Sequence, residues 1–154
     1  MKKVIVFGAA GGTGIEIVQQ ALEKGYAVTA LVRNPAMHRN NIRRLVCISA
    51  GGLDVNPEAG FFVRLLTRYV LQRILKEPYA DLRKMEAIVQ QSNTNYTIVR
   101  PARLLDKPAT GKYRIGIRNN IKNPFCIARA DVAHFIVNHL DDQATFTSTV
   151  SISY

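Results

Sequence analysis

The chain has 154 residues, 47% of them hydrophobic, and a formal net charge of +10. That length supports one sizeable core and not two, so a single domain over residues 1–154 is expected. No apolar run approaches the ~20 residues of a membrane span and a strand pattern begins at the amino end, leaving no room for a cleaved leader, so a soluble cytoplasmic domain is expected.

The first element is a strand, Lys3 to Phe7, β-branched and almost wholly apolar, as a strand covered on both faces should be. Gly8-Ala9-Ala10-Gly11-Gly12-Thr13-Gly14 comes next, with the spacing G-x-x-G-x-x-G. In a βαβ dinucleotide fold such glycines turn the chain sharply, admit a pyrophosphate and let helix and strand pack closely, while the helix amino end offers N–H groups and a positive dipole. Ile15, Val18, Ala21 and Leu22 then recur at helical spacing, Lys24 sits in the last turn and Gly25 is placed to stop the helix. Tyr26 to Val32 reads as the second strand of the unit.

The residue just past that strand selects the cofactor. An acidic side chain here would accept hydrogen bonds from the adenosine ribose of NAD. This chain has Arg33 instead, and Arg39, Arg43 and Arg44 come after it, with no acid from Gly25 through Leu53. A 2′-phosphate would meet only favourable charge, so NADP, as NADPH, is expected over NADH.

Arg44 to Ser49 reads as a further buried strand, with Ser49-Ala50-Gly51-Gly52 at its carboxyl end, where open α/β sheets place ligands. Pro57 and Gly60 mark a loop. A basic amphipathic helix is expected next, with Phe62, Leu65, Leu66, Tyr69 and Val70 inward beside Arg64, Arg68, Arg73 and Lys76, ended by Pro78. A helix over Asp81 to Ser92 turns Leu82, Met85, Ile88 and Val89 inward, Tyr96 to Val99 is strand-like, and Arg100-Pro101 stops it. Lys107 to Gly116 is loop-rich, Asp131 to Leu140 is helical, and a tail through Val150 and Ile152 could add a closing strand. The alternation argues for a doubly wound parallel sheet.

Cys47 and Cys126 lack metal-ligand or disulfide spacing and are expected to be reduced, and His134 and His139, five apart, do not share a helix face as zinc ligands would, so no metal is expected. The cations at Lys112, Arg114, Arg118 and Lys122 read as a solvated face, and the aromatics keep core spacing instead of forming a stacking platform, so nucleic acid rests on net charge alone.

G-A-A-G-G-T-G at Gly8 to Gly14, L-V-R at Leu31 to Arg33 and R-L-V-C-I-S-A at Arg44 to Ala50 are joined by three later motifs. These are Y-T-I-V-R-P at Tyr96 to Pro101, P-A-T-G-K-Y at Pro108 to Tyr113 and I-A-R-A-D-V-A at Ile127 to Ala133. In this order they resemble the atypical short-chain dehydrogenase/reductases of the NAD(P)H-binding, NmrA-like group, and within it the biliverdin reductase B (flavin reductase) branch. The resemblance implies a Rossmann-type fold in which Gly8 through Thr13 hold the pyrophosphate and Arg33 meets the adenosine phosphate. It also implies that Cys47 and Ser49 line the nicotinamide side and that Pro101, Arg103 and Leu104 form the wall beyond. Arg103 stands where that branch has a histidine, and Leu82 where a lysine or histidine is usual; Lys84 is two residues displaced and faces elsewhere.

The Tyr-x-x-x-Lys acid of short-chain dehydrogenases is absent: Tyr69 and Tyr79 are followed four residues later by Arg73 and Arg83, and Lys84 is five from Tyr79. Alcohol-to-ketone chemistry by that pair is not expected. Hydride transfer from NADPH to a flat acceptor such as a flavin or quinone remains, with Ser49 as the candidate polar contact; the alternative is a non-catalytic NADP(H) sensor. Only twelve residues, Arg33 to Arg44, separate the second strand from Leu45. The resembled family has strands three and four in that interval, which would need on the order of 50 residues. Three explanations compete: a disordered stretch missing from the sequence, an internal deletion, or a sheet that closes around the gap. The first two are favoured, and a continuous chain predicts weakened adenine binding and self-association.

Overall fold

The computed structural model describes residues 2–31, 44–53 and 76–154. Strand β1 (Lys3–Phe7) leads through the glycine turn into α1 (Gly12–Glu23) and returns as β2 (Ala27–Leu31), parallel to β1 in the register Lys3↔Ala27 to Phe7↔Leu31. The helix stops as its sequence demands. Gly25 takes φ +73°, its N–H bonds to the Leu22 carbonyl at 2.8 Å, and the Tyr26 N–H reaches back to Ala21 at 3.0 Å, a paired closure that needs a left-handed residue.

β3 (Arg44–Ile48) opens a second sheet with β4 (Asn95–Pro101), β6 (Arg114–Ile117) and β8 (Ser148–Ser153), in the order β3-β4-β8-β6. β3, β4 and β8 are parallel and β6 is antiparallel to β8, so the carboxyl-terminal strand lies inside the sheet and does not close it. A short parallel pair joins β5 (Arg103–Leu105) to β7 (Cys126–Ala128). Helix α2 (Lys76–Gln90) precedes β4, α3 (Arg129–Asn138) follows β7, and a 3-10 turn (Gln143–Thr145) leads into β8.

Among the described residues the principal apolar cluster joins Phe135, Val132, Ala133 and Val137 of α3 to Val99, Val150, Ile152 and Ile127 from the strands, and to Val6, Ile17 and Ala21 from the amino-terminal unit. Burying each large side chain contributes roughly 1.5–3 kcal/mol. α3 is buried nearly all round, because α1 covers one flank and the sheet the other, while small residues such as Ala21 and Ala133, both fully buried, let the helices approach closely.

Several expectations are corrected. Ile15 and Leu22 are 53% and 56% exposed, whereas Ala21 is buried and Val18 packs against the core as expected, and Ile17 joins them. Ile17 lies nearly opposite Ile15 on a helical wheel, and packing against α3 chose between the two. Ile88 likewise is 70% exposed; Val89 is buried and Leu82 and Met85 are half-buried, and the inward face of α2 also carries Tyr79 and the carboxylate of Glu86. Pro78 lies in the first turn of α2, where a missing N–H costs little, and ends no helix. The basic helix expected over Phe62 to Val70 lies outside the described residues. β1 is covered on its Val4 and Val6 face, whereas Ile5 and Phe7 are 36% and 40% exposed.

Among the described strands β1 pairs only with β2, and β3 only with β4. In the doubly wound order strand one is flanked by strands two and four. Here that second flank holds no strand among the described residues, and residues 32–43 of the short connection lie outside them. The two blocks share their core through α1 and α3.

Candidate dinucleotide site

The glycine turn is built from three different steric demands. Gly8 has φ +70°, a region open chiefly to glycine. Gly14 is held by proximity, since a Cβ there would stand 2.2 Å from the Gly8 carbonyl oxygen, and the first turn of α1 rests directly on the loop that precedes it. Gly12 makes room for a side chain: its Cβ would lie 2.9 Å from Cδ and 3.0 Å from Nε of Arg129, at the start of α3. The Gly11 N–H closes the turn onto Gly8 at 2.9 Å, and as N-cap Gly11 supplies no side-chain acceptor. No acid occupies the first turn of α1. Its leading N–H groups and dipole are therefore left for an anion. Ala9 is buried in the core, whereas Gly8, Ala10, Gly11 and Gly12 are exposed and Thr13 is half-buried.

The carboxyl ends of β3 and β4 form the second part. The Ser49 N–H bonds to Val99 at 2.8 Å and the Gly51 N–H to Pro101 at 2.8 Å. A Cβ on Gly51 would sit 2.9 Å from the Pro101 oxygen, so this close crossing requires glycine. Ser49 is 7% exposed and its Oγ has no hydrogen-bond partner among the described residues. A buried hydroxyl left in that state costs about 1–3 kcal/mol, an expense that a bound ligand would remove. Arg103 is exposed, opposite Cys126 in register, and Leu104 turns a partly buried side chain to the core.

Glu86 of α2 is 4% exposed and accepts from Nε of Arg100 at 2.9 Å and from Nη2 at 2.5 Å. Burial, reinforced by the Glu86 charge and opposed by Arg44, pushes the Cys47 thiol up to about 11, so this cysteine is no nucleophile at neutral pH. Tyr79 is buried and its phenol is raised by desolvation, while Nη2 of Arg83 donates to the Leu53 carbonyl at 2.6 Å. Tyr113, pushed up to about 12 by burial and by Asp131, meets Nδ1 of His134 at 2.9 Å. These phenols are tuned away from acid catalysis.

Arg33 lies outside the described residues. Arg44 is corrected from the expected set of 2′-phosphate cations: it stands at the start of β3, donating to the carbonyls of Leu140 at 2.9 Å and Asn95 at 2.8 Å and to Thr145 Oγ1 at 3.1 Å, with its guanidinium over the Phe146 ring. Structural bonds at that end of the strand occupy it. Sequence reasoning placed Gly51 at the ligand end of the strand but missed Arg129, which the fold brings to Gly12 at the head of α1.

Comparison with known proteins agrees with this fold. The profile of the NAD(P)H-binding family matches residues 35–143. A short-chain dehydrogenase/reductase from Veillonella parvula, solved in complex with NADP, superposes with a TM-score of 0.79 at 18% identity over 99% of this chain and 94% of its own. A protein from Streptococcus pneumoniae described as a candidate NADH-flavin reductase gives 0.70 at 18% identity over 99% of both chains. The oxidoreductase ylbE of Lactococcus lactis gives 0.72 at 16% identity, covering 99% of this chain and 90% of that one. At such identities the likeness is one of fold, α/β with parallel strands, and the profile match carries the family: this chain belongs to the NAD(P)H-binding family.

Proposed function

We propose that the protein is an NADPH-dependent reductase that passes hydride to a small planar acceptor such as a flavin or quinone. The observation that carries the reading is the orphaned, buried Oγ of Ser49 at the carboxyl end of a parallel strand, in a chain whose glycine turn leaves a helix amino end uncapped. Both features fit a nicotinamide dinucleotide. Gly8 through Gly14 would hold its pyrophosphate, Arg33 its adenosine phosphate, and Cys47, Ser49, Pro101, Arg103 and Leu104 would bound its nicotinamide side. When bound, the cofactor supplies the hydride; the chain positions it, and Ser49 donates or accepts one hydrogen bond at the carboxamide or the acceptor.

A planar acceptor is favoured over an alcohol because the Tyr-x-x-x-Lys pair is absent and Tyr79, Tyr113 and Tyr154 are all raised by burial, which makes them poor proton donors. The same observation supports a second reading, a non-catalytic NADP(H) sensor.

The test is fluorescence titration with NADPH and NADH separately, then oxidation assays with flavin and quinone acceptors, on the wild type and on Ser49→Ala. Expected are tighter NADPH binding, turnover with a planar acceptor, and a loss of roughly tenfold or more in kcat/KM on removing the hydroxyl. Binding without turnover over a broad acceptor panel selects the sensor, and failure to bind either nucleotide refutes both readings.

A further inference from the structure

The geometry points to Arg129 as a phosphate-positioning residue of the dinucleotide site, a clasp that exchanges Asp106 for the bound pyrophosphate. This rests on the cofactor reading above and goes beyond it, because the glycine turn, Arg33 and the nicotinamide wall do not include α3. The stem of Arg129 lies against Gly12, the first residue of α1, close enough that a Cβ there would meet Cδ and Nε at 2.9 and 3.0 Å. A guanidinium is thereby set beside a helix amino end that has neither a side-chain cap nor an acid in its first turn. Two sources of positive potential on different elements converge on one place, as an anion requires.

Arg129 is held by a partner suited to being released. Its Nη1 donates to Oδ1 of Asp106 at 2.7 Å, while Nε and Nη2 make no hydrogen bond among the described residues. The Arg129 side chain is 30% exposed, but that of Asp106 is 87% exposed. An ion pair made by one prong to a solvated carboxylate is worth little. A phosphate that accepted two prongs in a half-buried position would outcompete it.

The base of the clasp is rigid. Arg129 opens α3, the next two residues are 5% and 0% exposed, and the Gln20 side chain of α1 donates to the Ala130 carbonyl at 3.0 Å, tying the two helices at this point. Gly12 thus serves Arg129, whereas Gly8 and Gly14 shape the turn itself.

The test is titration of the full chain with NADPH, and by calorimetry with inorganic pyrophosphate, for the wild type, Arg129→Gln, Arg129→Lys and Asp106→Asn, with the thermal midpoint of each unliganded protein. Expected are a loss of roughly tenfold or more for Arg129→Gln, partial recovery for Arg129→Lys, and tighter binding by roughly two- to fivefold for Asp106→Asn, which frees the guanidinium. A purely structural ion pair would make Asp106→Asn resemble Arg129→Gln, and that result overturns the clasp. So does Arg129→Gln binding within twofold of the wild type at an unchanged midpoint. A wild type that binds pyrophosphate through Arg129 but takes no NADPH keeps the clasp and removes the cofactor reading, and one that binds neither overturns both.

Discussion

Replacing Asp131 by asparagine changes one atom, yet it should be among the most damaging substitutions in this chain. The carboxylate is fully buried at the head of α3. Oδ1 accepts the N–H groups of Thr110 and Gly111 at 2.9 and 2.8 Å, and Oδ2 accepts the Thr110 hydroxyl at 3.0 Å and the Tyr154 hydroxyl at 2.6 Å. Burial works to raise its pKa, but these donors outweigh burial and hold it below the ordinary carboxylate value. An asparagine would turn an NH2 group toward donors in either orientation, spoiling one or two charge-assisted bonds of about 1.5–3 kcal/mol each, so a net loss of about 2–5 kcal/mol is expected after relaxation. A domain has only about 5–15 kcal/mol in total. Because the folded-state pKa is depressed, this stabilisation is present in full above the unfolded-state pKa and is lost as pH falls through the folded one. Urea denaturation followed by circular dichroism at neutral pH and through the acid range measures both effects. The wild type should lose stability on acidification, and Asp131→Asn should start lower and show a shallower acid dependence. A change below about 1 kcal/mol, or an acid limb unaltered in the variant, would refute the reasoning.

Two further outcomes are expected. Gly14→Ala should destabilise the turn by about 1–3 kcal/mol or more and abolish NADPH quenching, since its Cβ would be driven to within 2.2 Å of the Gly8 oxygen; near-native stability and binding would contradict the close approach. Cys47, its thiol at about 11, should resist iodoacetamide at pH 7–8 and react only in more alkaline solution, as read by peptide mass analysis after timed alkylation; labelling at neutral pH at the rate of a free thiol would contradict the burial argument.

The elements legible in the sequence were those whose cause is local. Gly8 and Gly25 announce positive φ, and the structure has both at +70° or above; β1, β3 and α3 follow from short-range pattern and end within a residue or two of expectation. The phase of α1 was not local. Its apolar residues lie on two sides, and only the arrival of α3, more than a hundred residues later, decided that Ile17 and not Ile15 goes inside. Glu86 was hidden for the same reason, because its partner Arg100 lies on the following strand. Arg44 illustrates the opposite error: charge and proximity to Arg33 suggested phosphate, but the strand carries it to the far end of the sheet. At the site, glycine spacing showed where a phosphate could go, while Arg129 was invisible because nothing in a linear sequence brings the head of α3 to the head of α1.

Among the described residues, the absence of a strand on the second flank of β1 leaves a seam between two blocks. The glycine turn rides on the β1–α1–β2 block, whereas Ser49 and Pro101 ride on the β3–β4–β8 block. No strand-to-strand ladder ties the blocks among the described residues; side-chain packing of α1 on α3 does, with the Gln20 bond to Ala130 and the Lys24 bond to Asn138 along its length. Packed helices slide more readily than hydrogen-bonded strands break, so between these two described blocks a shear along the helix pair is the motion that this packing permits most readily. In the proposed reading a dinucleotide would reach from one block to the other across the seam and act as a stitch. Part of its binding energy would then go into holding the halves in register, coupling occupancy to the stiffness of the whole fold.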